Sequence, residues 1–348
     1  GNAHGHNNLL SFLALPIREI SLPFVPMQGG GMEISMKYKS LYQTDIKISL
    51  TALGADGFGE EVPYELMDRM IGYYTEQGGN VIDTARLYGG GVSEETIGRW
   101  FVQTGKRNHY FLSSKCAHPV QGSFKARLSK EEIYSDVEQS LMALQTDVID
   151  ILWLHRDDPS VPVSGIIDTL NQLINEGKVR CIGTSNWTGN RIAQANDYAK
   201  KCGLTGFCAS QIEFGLGKRN ILPDTDPTLL QMNGEEYAFY NKSGITVFAY
   251  SPQAKGYFSK LDKGEQLKEK TLLRYGNKEN DSVLKRIQGI AERHQVDVGD
   301  IVLSYITSQK QFTAAAIIGC KTMEQLKDSL KNADLELTQQ ELDELKQF

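Results

Sequence analysis

From Tyr38 onward one pattern repeats eight times: a short run of apolar, often β-branched residues, then a longer stretch with helical spacing. The apolar runs are Ile48–Leu53, Asn80–Asp83, Tyr110–Ser114, Val148–His155, Val179–Gly183, Phe207–Ile212, Ile245–Tyr250 and Ala315–Gly319. Near-continuous apolarity over so few residues predicts parallel strands buried on both faces. Between them lie the helical stretches Tyr64–Gln77, Ser93–Thr104, Lys130–Leu144, Val163–Glu176, Asn190–Lys201, Glu235–Lys242, Ser282–His294 and Met323–Asn332. Eight such units predict an α/β fold, a closed (β/α)8 TIM barrel forming one domain over residues 36–348. An open doubly wound sheet fits less well, because no G-x-G-x-x-G opens the helix after an early strand. Lys37–Leu41 and Asp45–Ile48 flank a turn, which predicts a hairpin at the barrel floor. Val298–Gln309 and Gln339–Gln347 are read as extra C-terminal helices outside the repeat.

Composition narrows the partners. Lys and Arg number 37 against 43 Asp and Glu, a net charge of -6 at pH 7, which excludes general nucleic-acid binding. Five cysteines (116, 181, 202, 208 and 320) form no C-x-x-C pair and leave one over. That pattern points to free thiols in a reducing, cytoplasmic setting. No apolar run reaches membrane-spanning length. Residues 1–35 are read as an extension, an expression remnant or an unstructured arm. LLSFLALP lacks the basic start and small-residue cleavage site of a secretory signal.

In such a barrel the active site forms where the strands end at their C-terminal edge. Asp83 ends the second apolar run, and Tyr88 follows five residues later before Gly89, Gly90 and Gly91. Lys115 directly follows the third run and His155 ends the fourth. Taken singly, each has a structural reading: a cap, a solvated charge, a satisfied core histidine. Together at one mouth they describe general acid chemistry. A phenol titrates near pH 10, too weak an acid for neutral pH, and a neighbouring ammonium is expected to lower that value. Asp83 would hold Lys115 charged, and His155 would hydrogen-bond a carbonyl oxygen beside the phenol. No metal set accompanies these groups, since His118 and His155 have no Cys or second His at ligand spacing. Any hydride must therefore come from a cofactor.

These segments carry a family resemblance. DTARLYGGGVSEETIG resembles the aldo-keto reductase signature D-T-A-x-x-Y-G-x-G-x-S-E, and SSKCAHP and DILWLH are similar to that family's strand-three Lys and strand-four His motifs. The likeness continues through CIGTSNW, ASQIEFGL, FAYSPQAKGYFSKL and IIGCKTMEQLKDSL, covering the chain from about Lys37 onward. It implies Tyr88 as proton donor, Asp83 and Lys115 as its tuning pair, and His155 as the group orienting the carbonyl. It further implies NADP(H), with NAD(H) admitted as the alternative. Ser185, Asn186 and Gln211 would bind the nicotinamide carboxamide, and Tyr250 would stack on the ring. Ser251, Pro252, Gln253, Lys255 and Gly256 would cradle the pyrophosphate. Gly319, Lys321, Thr322 and Gln325 would meet the adenosine 2'-phosphate, with Ser329 at the adenine where the family usually has Asn. Gly54 and Ala55 stand in the strand-one motif ALGADGFG, and Asp56 beside them is a candidate for substrate selection or a loop cap. Ser93 with Glu94 and Glu95 is read as a helix-capping start, and Trp153 as core.

The stretches Gly215–Gly234 and Leu261–Asn280 are expected to cover the cleft, the second as a solvated charged loop or a lid. The function implied is reduction of aldehydes or ketones to alcohols with NADPH, by a monomer or small homo-oligomer acting on small molecules, with no nucleic-acid or membrane partner. Two rivals stand beside it: a cofactor-binding sensor with slow turnover, and a Schiff-base aldolase using Lys115.

Overall fold

The computed structural model describes residues 36–348, so the extension read at 1–35 lies outside the described residues. A two-stranded antiparallel hairpin, β1 (Tyr38–Ser40) and β2 (Lys47–Ser49), leads into the barrel. The eight parallel strands are β3 (Thr51–Gly54), β4 (Val81–Asp83), β5 (Phe111–Cys116), β6 (Ile149–Leu154), β7 (Val179–Ser185), β8 (Ala209–Glu213), β9 (Thr246–Tyr250) and β10 (Ala314–Gly319). They pair in chain order, and β10 closes the barrel against β3. The first six crossover helices are α1 (Tyr64–Glu76), α2 (Val92–Thr104), α3 (Lys130–Leu144), α4 (Val163–Asn175), α5 (Gly189–Cys202) and α6 (Gly234–Ser243). After β9 come α7 (Tyr257–Asp262), α8 (Glu269–Tyr275), α9 (Lys278–His294) and α10 (Val298–Thr307). Then α11 (Met323–Leu330) follows β10, and α12 (Gln339–Leu345) ends the fold.

The first apolar run splits in two. Asn80 Oδ1 accepts from Ser49 N at 2.8 Å and Ser49 Oγ donates to Thr51 O at 3.0 Å, so the chain turns between β2 and β3. Ile48 therefore belongs to the floor hairpin, where with Leu41 it packs under Ala52, Val81, Phe111, Ile151 and Phe248. Above this layer Trp153 fills the barrel axis against Phe248, ring centroids 5.1 Å apart. Residue 183 must be glycine there, since a Cβ would lie 2.5 Å from the Trp153 ring. Burying one indole stabilises the barrel by about 4–6 kcal/mol before entropy is subtracted.

The seventh unit departs from the sequence reading. The helix that packs on the barrel wall is α10, buried from Asp300 to Thr307. Helix α9, read above as the crossover helix, buries the single stripe Val283, Ile287 and Ile290, and packs outside α10 against α12. A helix buried all round is the one against the sheet; an amphipathic one faces solvent. The stretch read as a charged loop holds α8, preceded by the short α7. Both are pinned by buried aromatics, α7 by Tyr257 and Phe258 and α8 by Tyr275.

Candidate active site

Register brings the four ionisable groups to one mouth. Asp83 stands beside Ser113, and Lys115 beside Trp153, on adjacent parallel strands; His155 follows β6 directly. Lys115 Nζ donates to Asp83 Oδ2 at 2.7 Å, Thr84 O at 2.7 Å and Tyr88 Oη at 3.0 Å. Three acceptors meet the three donors of an ammonium. Asp83 Oδ1 in turn accepts from Ser113 Oγ and from Gln211 Nε2 at 3.1 Å. Lys115 and Asp83 are 1% and 2% exposed, a pair paid for by this complete set of partners. The His155 ring stands edge-on to Tyr88, centroids 6.3 Å apart at 82°. Its Nδ1 is buried with no hydrogen-bond partner.

The electrostatics follow from this packing. Burial opposes the charge on Lys115, but the Asp83 carboxylate and the Tyr88 hydroxyl outweigh it, and the ammonium is held above its usual range. Burial, then the Lys115 and Arg156 charges, push His155 well below the ordinary imidazole value, so the ring is neutral. Tyr88 corrects the sequence expectation. Burial raises the phenol, Lys115 opposes that, and Asp83 adds to it; the net direction is up. Its ring is half-buried, yet its hydroxyl reaches into the dry Lys115 site, where loss of water costs the phenolate more than one shared cation returns.

The glycines after Tyr88 have a local reason. Gly89, Gly90 and Gly91 take φ of 59°, 63° and 109°, the left-handed region that residues with a Cβ avoid. A Cβ on Gly91 would also fall 1.6 Å from the Arg86 guanidinium. Arg86 reaches Glu94 at 2.6 Å, and Ser114 Oγ donates to the same buried carboxylate at 2.6 Å. Ser93 Oγ donates to Ala55 O at 2.7 Å and meets Thr84 Oγ1 at 2.8 Å. The capping expectation fails here: α2 has Gly91 at its N-cap with no side-chain cap. Ser93 and Glu94 instead lash the helix to the strand ends that carry the site.

Ser185, Asn186, Gln211 and Tyr250 meet at the ends of β7, β8 and β9. The Asn186 side chain is already engaged. Its Oδ1 accepts from Tyr250 Oη at 2.7 Å and Leu230 N at 2.9 Å, while Nδ2 donates to Ser185 Oγ at 3.1 Å. Asn186 thus knots three segments together, and Ser185 and Gln211 are left as the freer partners for an amide. Beyond β9, Ser251, Ala254, Lys255 and Gly256 take φ of 49°, 48°, 59° and 79°. Such left-handed runs cost about 1–3 kcal/mol per non-glycine residue and gather at ligand clamps, so Ser251–Gly256 fits a phosphate cradle. Gly215 lies against Pro252, where a Cβ would be 2.7 Å from Pro252 O. Gln253 Nε2 donates to Ser329 Oγ at 3.2 Å, joining cradle and α11.

At α11, Thr322 caps the helix by accepting from Gln325 N at 3.2 Å, and Gln325 Oε1 accepts from Lys321 N at 2.7 Å. Lys321 Nζ, just after β10, pairs with Glu61 in the neighbouring segment after β3. The sequence reading missed that partner. Gly54 has a Cβ position 3.0 Å from Ile318 O, and Gly319 one 3.7 Å from Asp56 Oδ1. Ala55 is buried, and its N–H donates to Asp83 O at 2.9 Å, whereas Asp56 is exposed.

A second cluster also escaped the sequence reading. Glu213 ends β8, is 2% exposed, and binds Arg219 at 2.8 Å, Arg274 at 3.3 Å and Tyr275 Oη at 2.8 Å. An apolar run closed by an acid, as at Asp83, was its only signal. Through it and through Arg156, which donates to Thr228 Oγ1 at 2.9 Å and pairs with Asp226 at 3.3 Å, the 215–234 and 269–275 segments are fastened over the strand ends.

Among the described residues no helix is long and apolar enough to cross a membrane. Known proteins share both fold and sequence with this chain. Residues 51–348 match the family model described as "Aldo/keto reductase family". An aryl-alcohol dehydrogenase, GME11368, from Pestalotiopsis microspora is 31% identical over 301 residues, 83% of this chain and 73% of that protein. The norsolorinic acid reductase stcV of Emericella nidulans is 28% identical over 321 residues, covering 86% and 78%. The crystal structure of the thermostable aldo-keto reductase Tm1743 superposes with a TM-score of 0.66 at 24% identity, covering 89% of this chain and 98% of its own, a likeness of fold. With the match spanning the whole barrel and an oxidoreductase acting on carbonyl compounds as its implication, the chain belongs to the aldo/keto reductase family.

Proposed function

We propose that this protein reduces aldehyde or ketone carbonyls to alcohols using NADPH, with Tyr88 as the general acid. The observation that carries the reading is the Lys115 ammonium 3.0 Å from Tyr88 Oη, with a neutral His155 ring edge-on to the same phenol. When bound, the nicotinamide supplies hydride to the carbonyl carbon. The protein's own groups do the rest. His155 is neutral, and with its proton on Nε2 it would donate to the carbonyl oxygen. Tyr88, protonated at neutral pH, gives its proton to that oxygen as negative charge develops. Lys115, held by Asp83 and Thr84, stabilises the phenolate left behind.

The nicotinamide site is supported by Ser185, Gln211 and Tyr250 at neighbouring strand ends, and the diphosphate by the left-handed Ser251–Gly256 turn. Lys321, Thr322 and Gln325 are proposed for the 2'-phosphate. Lys321 must leave Glu61 to serve, which moderates the preference for NADPH over NADH. The aldolase alternative needs an uncharged Lys115, and the raised ammonium opposes it. Five free cysteines support a reducing, cytoplasmic location. We extend the aryl-alcohol chemistry in one relative's name to this chain as the first substrates to try. The test is consumption of NADPH with a panel of aromatic aldehydes and diketones, beside fluorescence titration of NADPH binding. Binding with no turnover across the panel would favour the sensor reading.

A further inference from the structure

A second imidazole lies beside the proposed acid, and none of the roles above uses it. His118 sits two residues past β5, at the mouth, with its ring edge-on to His155, centroids 4.7 Å apart at 69°. His155 thus stands edge-on to both Tyr88 and His118. The backbone before His118 is built to aim it. Ala117 takes φ of 64°, a left-handed conformation that a residue with a Cβ keeps only when its surroundings hold it. Here its N–H donates to the buried Asp136 carboxylate at 2.8 Å, and its carbonyl accepts from Arg127 N at 3.2 Å. Arg127 closes the brace by pairing with Asp136 at 2.9 Å.

The tautomer of His118 follows from its one hydrogen bond. Nδ1 lies 2.8 Å from Pro119 O, and a carbonyl oxygen only accepts, so Nδ1 carries the proton. Burial and the Arg156 charge hold the ring below the ordinary imidazole value, so it is neutral. Nε2 is then a bare lone pair, with no hydrogen-bond partner among the described residues. The three groups therefore offer a donor, a donor and an acceptor: the Tyr88 hydroxyl, the His155 Nε2–H and the His118 Nε2. A plain carbonyl uses the first two. The third asks for a hydroxyl one carbon away, because the two imidazoles are in ring contact.

We infer that His118 is a specificity-determining residue which accepts a hydrogen bond from a hydroxyl adjacent to the reacting carbonyl, so that the preferred substrates are α-hydroxy aldehydes and ketones. This rests on the reductase reading of the same site. The test compares 2-hydroxy-1-phenylethanone with its 2-methoxy ether, which keeps the carbonyl and shape but has no proton to give. Wild-type kcat/KM is expected to favour the hydroxy ketone roughly three- to tenfold, the effect of one neutral hydrogen bond. His118→Phe keeps an aromatic edge on His155 without an acceptor, and His118→Ala removes both; each should bring the ratio to about one, with NADPH affinity unchanged. Calorimetric affinities of both ketones for Tyr88→Phe protein loaded with oxidised cofactor read the same preference without turnover. A binding ratio of about one in that protein, or a kinetic ratio that survives His118→Phe, overturns the inference while leaving the reductase reading intact. A binding ratio above about three that His118→Phe abolishes, with no turnover by wild type of either ketone or of any compound in the aldehyde and diketone panel, supports the inference and sinks the reductase reading.

Discussion

Replacing Lys115 by Met separates the two jobs assigned to it. Met fills much of the lysine volume but leaves the Asp83 carboxylate, 2% exposed, without its cation. Removing one partner of a buried pair costs about 3–5 kcal/mol. Asp83 Oδ1 keeps Ser113 and Gln211, so the low end, about 3 kcal/mol, is expected. Asp83→Asn added to Lys115→Met removes the stranded charge and should restore about 2 kcal/mol, while neither protein reduces carbonyls above about a hundredth of the wild-type rate. Urea denaturation gives the stabilities and NADPH consumption the rates. Linkage fixes the pH range. The folded Lys115 is raised above the ordinary 10.5, so its contribution is fully present below that value and is lost as pH climbs through the higher folded one. The stability gap between wild type and Lys115→Met should thus be constant from neutral to mildly alkaline pH. A single-variant cost under about 1 kcal/mol, or a double variant as unstable as the sum of its parts, would refute the reasoning.

Three further outcomes are expected. Burial holds the Tyr88 phenol above its ordinary 10.0, so the reduction rate should stay level through neutral pH and fall only above that value; an alkaline limb beginning near pH 8 in a kcat/KM profile would contradict this. Glu61→Gln frees Lys321 from an exposed pair, which should tighten NADPH, but not NADH, by up to about fivefold in a fluorescence titration. Gly98→Ala places a methyl 2.1 Å from Ala143 O on α3, and should cost about 1–3 kcal/mol in denaturation while cofactor affinity is unchanged.

The barrel was legible because parallel strands buried on both faces must be apolar throughout, and the site because such folds collect polar groups at strand ends. Asp83, Tyr88, Lys115 and His155 were all readable in that way, and the structure brings them together. What failed has physical causes. The break at Ser49–Leu50 is made by Asn80, 31 residues away in sequence. Helix α10 looked supernumerary because a helix buried all round lacks the amphipathic stripe that marked α9. The direction of the Tyr88 shift depends on how dry its hydroxyl is, which only the folded mouth determines. Pairs such as Lys321–Glu61 and Glu213–Arg274 join segments that nothing in local spacing connects. His118 was visible as a residue, but its role depends on the left-handed Ala117 that turns it toward His155.

The most direct test of the account is one comparison of wild type with Tyr88→Phe, following NADPH consumption with an aromatic aldehyde while measuring NADPH affinity on the same samples. Loss of the phenol hydroxyl should lower kcat by about a hundred- to ten-thousandfold, with the cofactor bound as tightly as before. Equal turnover by both proteins would remove Tyr88 as the acid and contradict the account at its centre.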